Sequence, residues 1–406
     1  MNVAGFDLRL RAPDSKISVA DYRRAARRRV PRFVWAYIDE GADDLETLRD
    51  NEMAFDRWSF RPRMLTGMGD ADLSTTVAGV KLDMPLLLAP TGFSGLTRWR
   101  GDIDSSLAAE ACGTRAILST ASSWSLEEVA EACKEPPFFQ LYPREGGTAV
   151  KLMTRAWNAG YRALYVTVDV PIVGNRRTEQ KRGMGLPPVM TPWRALDLLR
   201  HPLWSFNVLR HGRIGGRTLA TNSGMAAAME AVEAQQREIA QSRMSWDDIA
   251  WMRDRWKGHF SIKGLTEPED AERAVSIGAD GVVVSNHGGR QLDFASGSLD
   301  ALPDIASAVG GRAEILLDGG VRRGSDVVKA VALGARAVLV GRPYLYGLAV
   351  NGRRGVEAVL GILRQEMMGT MRLMGAHSVA QLDPGWVKPR AGHHPVRAWP
   401  GRGTAE

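Results

Sequence analysis

Cysteine is scarce in this chain of 406 residues, which contains only Cys112 and Cys133. So few cysteines exclude a disulfide scaffold and are typical of proteins from a reducing compartment. Neither residue belongs to a CxxC or Cys/His zinc-binding pattern. The sequence therefore predicts no metal site.

Long uncharged apolar runs are also missing. No run approaches the ~18 residues that cross a bilayer, and the start of the chain lacks the apolar core of a signal peptide. We therefore expect a cytoplasmic protein. With 24% charged and 44% hydrophobic residues, the composition excludes a wholly disordered, collagen-like or fibrous protein. The net charge of +7 favours acidic partners, so the position of the basic residues matters.

Short apolar runs dominate the middle of the chain, and each is followed by a polar or glycine-bearing break. Several are followed by a helix signal, as at Ser125, whose spacing from Glu128 fits a capping box. Continuous apolar runs of this length predict parallel strands that are covered on both faces. The class is therefore α/β, and a (β/α)8 barrel is favoured over a doubly wound sheet. The predicted strands are Leu86–Ala89, Ala116–Ser119, Phe138–Leu141, Leu164–Thr167, Phe260–Lys263, Gly281–Ser285, Glu314–Asp318 and Ala337–Val340.

A helical segment precedes the first predicted strand. Ser18 and Asp21 are spaced to cap one helix, and Pro31 begins a second helix that we expect to end at Gly41. The whole chain, residues 1–406, is predicted to be one domain.

The interval between the fourth and fifth predicted strands, from Val168 to His259, is far longer than a βα loop and one helix require. It therefore contains an insertion, whose first part, residues 171–217, is basic and rich in tryptophan and leucine. This composition is typical of a segment that binds an anionic membrane surface. A basic lid or a subunit contact explains it equally well. Nucleic acid is a poorer explanation, because no reader motif accompanies the charge.

Polar and glycine residues follow every predicted strand, and in a barrel the active site lies at these carboxyl ends. The residues at these positions are Pro90, Thr91, Gly92, Ser119, Gln140, Tyr142, Thr167, Asp169, Lys263, Ser285, His287, Arg290, Asp318, Gly319, Gly320, Gly341 and Arg342. We expect these side chains to converge on one site.

At these positions the chain resembles the FMN-dependent L-2-hydroxy acid oxidising enzymes. The motifs that carry the resemblance are SNHGGRQLD from Ser285 to Asp293, LDGGVRRG from Leu317 to Gly324, FQLY from Phe139, VGRP from Val340, and Tyr37-x-x-x-Gly41-Ala42. The resemblance extends from about Ser18 to Leu382, and it implies the barrel fold and an FMN cofactor.

The resemblance also implies where the cofactor binds. Gly319, Gly320, Gly341, Arg342 and the nearby Arg322 would hold the phosphate, since glycines admit the backbone and a guanidinium binds the anion. Other positions would surround the flavin ring: the backbone of Pro90, Thr91 and Gly92 on one face, Ser119, Gln140, Thr167 and Ser285 at the edge, Asp318 after the seventh strand, and Lys263 beside N1 and the C2 oxygen.

For catalysis, the resemblance implies that His287 is the base and that Asp169 orients it. Arg290 and Arg176 would bind the substrate carboxylate with Tyr37, and Tyr142 would contact the reacting oxygen. Whether a carbanion or a hydride route is followed stays open.

The substrate side chain is indicated by Ala121, where family members acting on very small hydroxy acids can carry a bulky aromatic residue. A small residue leaves room for a phenyl ring, which favours (S)-mandelate or a similar acid, with L-lactate as the alternative. A non-redox phosphate-binding barrel enzyme remains a third option. The resemblance further implies a membrane electron acceptor, such as a quinone of the respiratory chain, a peripheral position on the inner face of the plasma membrane, and a homotetramer.

Overall fold

The computed structural model describes residues 2–3, 6–7, 16–67, 69–143, 146–184, 190–220, 225–241 and 243–390. Its central sheet contains eight parallel strands in the order β1-β8-β7-β6-β5-β4-β3-β2. A parallel bridge between Leu88 and Ala116 joins the two ends, so the sheet closes into a barrel. The strands are β1 Leu86–Leu88, β2 Ile117–Ser119, β3 Phe138–Leu141, β4 Ala163–Thr167, β5 His259–Leu265, β6 Gly281–Val284, β7 Glu314–Asp318 and β8 Ala337–Val340. The predicted (β/α)8 barrel is confirmed, and the doubly wound alternative is wrong.

Successive residues of these strands belong to two different buried clusters, because side chains alternate between the two faces of a strand. In β8, Ala337 and Leu339 lie in a small cluster, whereas Val338 and Val340 lie in the large cluster that includes the helices. The small cluster fills the barrel interior, and the large one attaches the helices to its outside. Both faces are thus apolar, which is why the strands lack an alternating polar pattern.

Helices follow the strands around the outside of the barrel, with bounds Ser94–Thr97, Gly101–Ala111, Leu126–Ala132, Gly146–Asn158, Pro268–Ser276, Ser298–Val309, Gly324–Ala332 and Arg342–Met374. The last is kinked at Asn351 and Gly352. The predicted capping box of Ser125 and Glu128 is present. Short antiparallel pairs lie outside the barrel: Asn2–Val3 with Phe6–Asp7, Trp58–Phe60 with Val387–Pro389, and Thr75–Val77 with Val80–Leu82. The 3₁₀ turns Val379–Gln381 and Pro384–Trp386 precede the last strand.

The N-terminal helices are Val19–Arg27, Arg32–Asp39 and Glu46–Asp56. The first begins with the predicted capping box of Ser18 and Asp21. The second ends at Asp39, two residues before the predicted Gly41, because the chain turns there to contact the loop after β6. The backbone N–H of Ala42 donates to the Gly289 carbonyl at 2.9 Å, and a Cβ on Gly41 would lie only 2.5 Å from that oxygen.

The insertion after β4 contains the helices Arg177–Arg182, Pro192–Leu199, Pro202–His211, Met225–Gln241 and Trp246–Arg255. It is anchored on the barrel at defined contacts. The Trp204 indole donates to the Leu96 carbonyl at 2.6 Å, and Arg213 pairs with Glu128 at 3.0 Å. Within the described ranges, no helix is both long and apolar enough to span a bilayer.

Candidate active site

One cavity at the carboxyl ends of the strands collects most of the predicted site residues. Its walls include Tyr37, Pro90, Thr91, Gly92, Tyr142, Arg176, Lys263, His287, Arg290, Asp318, Gly319, Gly320, Arg322, Gly341 and Arg342. The remaining predicted residues are Ser119, Gln140, Thr167, Asp169 and Ser285, and two of them bond to residues of the wall: Asp169 to His287 and Ser285 to Lys263. The structure thus brings together side chains that are up to 305 positions apart, from Tyr37 to Arg342.

His287 and Asp169 form the central pair of the cavity. Nδ1 of His287 lies 2.8 Å from Oδ1 of Asp169. Burial alone would raise the pKa of Asp169, but the charge and hydrogen bond of His287 and the ammonium of Lys263 hold it below its usual value. An ionised carboxylate at Nδ1 leaves Nε2 as the nitrogen that can accept a proton.

The loop that carries His287 has an unusual backbone. His287, Gly288 and Gly289 have φ values of 59°, 64° and 69°, so three successive residues are left-handed. A histidine in this region is strained, and such strain persists only where surrounding contacts impose it. Here the Asn286 amide donates to Asn51 and to the Ser296 carbonyl, both at 2.9 Å. The motif from Ser285 to Asp293 is therefore largely a scaffold for one histidine.

Asp293, at the end of this motif, fastens the loop to the N-terminal helices. Its carboxylate accepts hydrogen bonds from the backbone N–H groups of Asp44 at 2.9 Å and Thr47 at 2.8 Å. Thr47 lies in the first turn of helix Glu46–Asp56, where backbone N–H groups lack helical partners. The N-terminal segment thus becomes part of the site, which brings Tyr37 to the barrel mouth.

Arg290, Arg176 and Tyr37 form a cationic corner of the cavity. The guanidinium of Arg290 lies 4.9 Å from the centre of the Tyr37 ring. It also donates to the carbonyls of Tyr37 at 2.7 Å and Glu40 at 3.1 Å. Burial first, and then the neighbouring charge of Arg290, lowers the pKa of Arg176. The two guanidinium groups repel each other, and a bound carboxylate would offset that repulsion.

The two cavity tyrosines remain neutral hydrogen-bond donors at physiological pH. Burial raises the pKa of Tyr37 and that of Tyr142 to about 12, although both arginines oppose the shift. The hydroxyl of Tyr37 donates to the Gly92 carbonyl at 2.9 Å, directly beside the segment from Pro90 to Gly92.

Lys263 is a fully buried ammonium at the centre of the barrel mouth. Its Nζ donates to Ser285 Oγ at 2.7 Å and lies 2.8 Å from Asp318 Oδ2. Burial alone would lower the pKa of Lys263, but the carboxylates of Asp318 and Asp169 outweigh that effect and raise it. The lysine is therefore charged, and it places a positive charge in the wall of the cavity.

Among the residues predicted to contact the flavin, three buried polar atoms have no hydrogen-bond partner in the described part of the chain: Gln140 Nε2, Thr167 Oγ1 and Asp318 Oδ1. Unpartnered buried polar groups are costly, so they indicate a ligand that satisfies them. The Gln140 amide nitrogen can donate a hydrogen bond, the Asp318 carboxylate oxygen can accept one, and the Thr167 hydroxyl can donate or accept. Ser119 is already bonded to Gln140 at 3.2 Å and orients its amide. A flavin ring has the matching edge of acceptors and N–H donors, so these residues fit FMN.

The other end of the cavity suits a phosphate. Gly319 and Gly320 have φ values of 95° and 78°, and a Cβ on Gly320 would lie 1.9 Å from the Asn51 carbonyl. Burial first, and then the charge of Arg322, lowers the pKa of Arg342 to about 10. An anion between the two arginines would relieve that repulsion. Gly341 and Arg342 also begin the long helix Arg342–Met374, whose N-terminus favours negative charge.

Other residues of the cavity are not apparent from the sequence. Val232 and Gln235 of helix Met225–Gln241 are buried and line it, although this helix lies beyond the predicted basic segment 171–217. Gln291 ties the insertion to the site, since its amide donates to the carbonyls of Asp169 at 3.1 Å and Ile172 at 2.8 Å. Glu179 pairs with Arg290 at 2.9 Å. The three-residue spacing of Glu179 from Arg176 could have indicated their ion pair from the sequence. Helix Met225–Gln241 has no distinctive motif that would place it at the cavity.

Within the described part of the chain, no cluster of three or more His, Cys, Asp or Glu side chains is arranged to hold a metal ion. Cys112 and Cys133 are free thiols and do not line the cavity. The polar side chains and glycines around this one cavity thus fit a flavin-binding barrel enzyme.

The sequence model of the FMN-dependent dehydrogenase family matches residues 26–389. The chain therefore belongs to the FMN-dependent dehydrogenase family, and FMN is the cofactor that membership implies. This agrees with the resemblance seen in its motifs and with the fit of the barrel mouth to a flavin.

The relatives carry two kinds of name. The chain is 42% identical to an L-lactate dehydrogenase of Allorhizobium ampelinum, over 90% of this chain and 97% of that protein. It is 39% identical to an L-lactate oxidase of Nostoc sp., over 93% and 99%. Among solved structures, an (S)-mandelate dehydrogenase described as a monotopic membrane protein matches with a TM-score of 0.88 and 35% identity, over 93% of this chain and 100% of that one. Lactate and mandelate are both 2-hydroxy acids, so the names and the FMN-dependent family agree on FMN-dependent oxidation of a 2-hydroxy acid.

Proposed function

We propose that this chain oxidises an (S)-2-hydroxy acid with an aromatic side chain, such as (S)-mandelate, to the 2-oxo acid. The observation that carries the proposal is the small residue Ala121 in the wall of the cavity. Ala121 lies there beside Gly92, so that a Cβ added to Gly92 would be 2.9 Å from the Ala121 Cβ. The side chain at this wall is therefore small. It lies next to the backbone of Pro90–Gly92, which the family resemblance assigns to one face of the flavin.

In this proposal His287 removes a proton from the substrate, and Asp169 fixes the ring and stabilises its charged form. Arg290 and Arg176 bind the carboxylate, and Tyr37 contributes a hydroxyl. Tyr142 donates to the reacting oxygen as negative charge develops on it. Bound FMN supplies the acceptor for two electrons. The charged Lys263 in the cavity wall would provide a counter-charge for a reduced, anionic flavin.

L-Lactate is the second candidate substrate, because two relatives of similar identity are named for lactate. Anaerobic bleaching of the flavin band by a panel of L- and D-2-hydroxy acids distinguishes the two. We expect faster reduction by (S)-mandelate than by L-lactate and none by the D-acids. A flavin-loaded protein that no 2-hydroxy acid bleaches contradicts the proposal.

An Ala121→Phe variant should change this preference. The added ring fills the space assigned to the substrate's phenyl group, whose burial at ~25 cal/mol per Å² contributes a few kcal/mol. We expect kcat/KM for (S)-mandelate to fall by ~10- to 100-fold, while that for L-lactate changes by less than ~3-fold. The control is Ala380→Phe at an exposed position outside the cavity. An equal loss with both acids in a flavin-loaded variant contradicts the assignment of Ala121.

We also propose that the enzyme is a peripheral membrane protein and passes electrons to a membrane acceptor such as a quinone. The helices Pro192–Leu199 and Pro202–His211 each expose large apolar residues at three-residue spacing: Trp193, Leu196, Leu199, Leu203, Phe206 and Leu209. Arg200 and Arg210 flank them. None of these residues lines the cavity, so a lid role is not supported for this surface. The mandelate dehydrogenase neighbour is described as monotopic, which favours a lipid contact.

Four replacements on this surface, Trp193→Gln, Leu203→Gln, Phe206→Gln and Leu209→Gln together, test the membrane proposal. We expect the wild type to sediment with anionic vesicles in a salt-sensitive manner and the variant to bind at least ~10-fold more weakly. A control with Leu65→Gln and Leu373→Gln alters exposed apolar residues elsewhere. Equal sedimentation of all three proteins, with a changed oligomeric state only in the first variant, identifies a subunit contact instead.

Replacing residues 188–217 with a short linker would be another way to test the membrane proposal, but point replacements are preferable. The segment after the exposed helices belongs to the barrel mouth: the Ile214 carbonyl accepts from Ser123 at 2.5 Å, and the Arg217 N–H donates to the Ser122 carbonyl at 2.9 Å. Its removal would disturb the loop that carries Ala121. The inner-face location, the homotetramer and the single domain of residues 1–406 remain predictions. Analytical ultracentrifugation of the holoenzyme tests the homotetramer.

A further inference from the structure

Glu179 is a buried carboxylate within the anion-binding corner of the cavity. It lies on the short helix Arg177–Arg182, and its side chain is 8% exposed. Oε1 is 2.9 Å from Nη2 of Arg290, and Oε2 is 4.0 Å from Nη1 of Arg176. One carboxylate therefore faces both arginines.

We propose that Glu179 is a positioning residue that holds Arg290 in place and sets the charge of the carboxylate-binding corner, so that the site selects acids with one carboxylate over acids with two. This inference rests on the proposed function, because it takes Arg290 and Arg176 as the groups that bind the substrate carboxylate.

The hydrogen bonds of Arg290 show how it is held. Both Nη1 hydrogens are used by the carbonyls of Tyr37 and Glu40, and one Nη2 hydrogen is used by Glu179. An arginine has five N–H donors. Nε–H and one Nη2 hydrogen thus remain without a partner among the described residues, and these two donors are available for a substrate carboxylate.

The charges of the corner add up to a single positive charge. The corner consists of three charged side chains: Arg176 and Arg290 contribute two positive charges and Glu179 one negative charge. One bound carboxylate then makes the corner neutral. A second carboxylate would be an uncompensated buried charge, which costs more than its hydrogen bonds return. Without Glu179, the corner would instead carry two positive charges in a buried space.

The test compares Glu179→Gln with wild-type holoenzyme, using oxalate and oxamate as probes. These two ions have nearly the same shape, but oxalate carries two carboxylates and oxamate one. Dissociation constants are read from the perturbation of the flavin absorption band, which needs no turnover. Gln keeps the size of Glu179 and can still accept from Arg290, but it lacks the charge.

We expect the ratio of the oxalate constant to the oxamate constant to fall by ~10-fold in Glu179→Gln, because a nearby charge has been removed from a partly desolvated site. Flavin reduction at saturating substrate should also slow, since Arg290 has lost its charged anchor. Glu179→Asp keeps the charge and should restore the ratio to that of the wild type. Flavin content and thermal unfolding verify that each variant is folded.

An unchanged ratio in flavin-loaded Glu179→Gln overturns the charge assignment, and a ratio that shifts equally in Glu179→Asp attributes the effect to shape and overturns it as well. If no 2-hydroxy acid reduces the wild-type flavin, the proposed function fails, whereas the two binding constants still decide the role of Glu179.

Discussion

A His287→Gln variant is expected to bind FMN normally and to be reduced by substrate ~10³-fold more slowly than the wild type, within the range that general bases contribute. The physical reason is that glutamine cannot accept a proton, although it can still bond to Asp169. Rapid-mixing measurement of flavin bleaching under anaerobic conditions gives the rate directly.

The matched control for this experiment is His377→Gln. His377 is an exposed histidine that bonds to the Thr66 carbonyl at 3.0 Å and does not line the cavity. We expect it to reduce its flavin at the wild-type rate. Near-normal bleaching in His287→Gln would remove His287 from the role of base and leave Asp169 or Tyr142 to be examined for it.

An Arg290→Met variant is expected to lose both substrate affinity and the rate of flavin reduction. A bidentate hydrogen bond to a carboxylate is lost, and each such charged bond contributes ~1.5 to 3 kcal/mol. We therefore expect KM for (S)-mandelate to rise by ~100-fold, and reduction at saturation to slow further because the α-carbon is no longer held against its partners. Steady-state and single-turnover kinetics separate the two effects.

Two comparisons make the Arg290 result specific. Arg177→Met removes a guanidinium from the nearby helix Arg177–Arg182. Arg177 pairs with Asp43 at 3.0 Å and with Asp44 at 2.7 Å and does not line the cavity, so the kinetics of this variant should match the wild type. Arg290→Lys keeps the charge without the planar fork and should lie between wild type and Arg290→Met. A change confined to the reaction with the electron acceptor would contradict the placement of Arg290 at the substrate.

The outcome for the helices shows what a local pattern can predict. The capping boxes at Ser18 and Ser125 involve residues three positions apart, and both form as expected. By contrast, the predicted end of helix Arg32–Asp39 was wrong by two residues. It is set by Gly289, a residue far along the chain whose carbonyl occupies the space beside Gly41, and no local pattern contains that contact.

The candidate site divides in the same way. The residues at strand ends could be predicted, because parallel strands in a barrel direct their carboxyl ends to one mouth and the motifs there match a known family. Gln235 could not, because it lies in an alanine- and glutamate-rich helix whose position over the cavity depends on how the insertion folds back onto the barrel.

The sequence by itself indicated the barrel, because its apolar runs record which strands are buried on both faces, and its motifs indicated FMN through their resemblance to a known family. Only the tertiary structure decided that Glu179 neutralises one of two arginines, that helix Met225–Gln241 lines the cavity, and that two helices expose their apolar faces. The physical reason is that charge pairing, cavity closure and exposure depend on contacts between distant segments, which are fixed only when the insertion packs against the barrel.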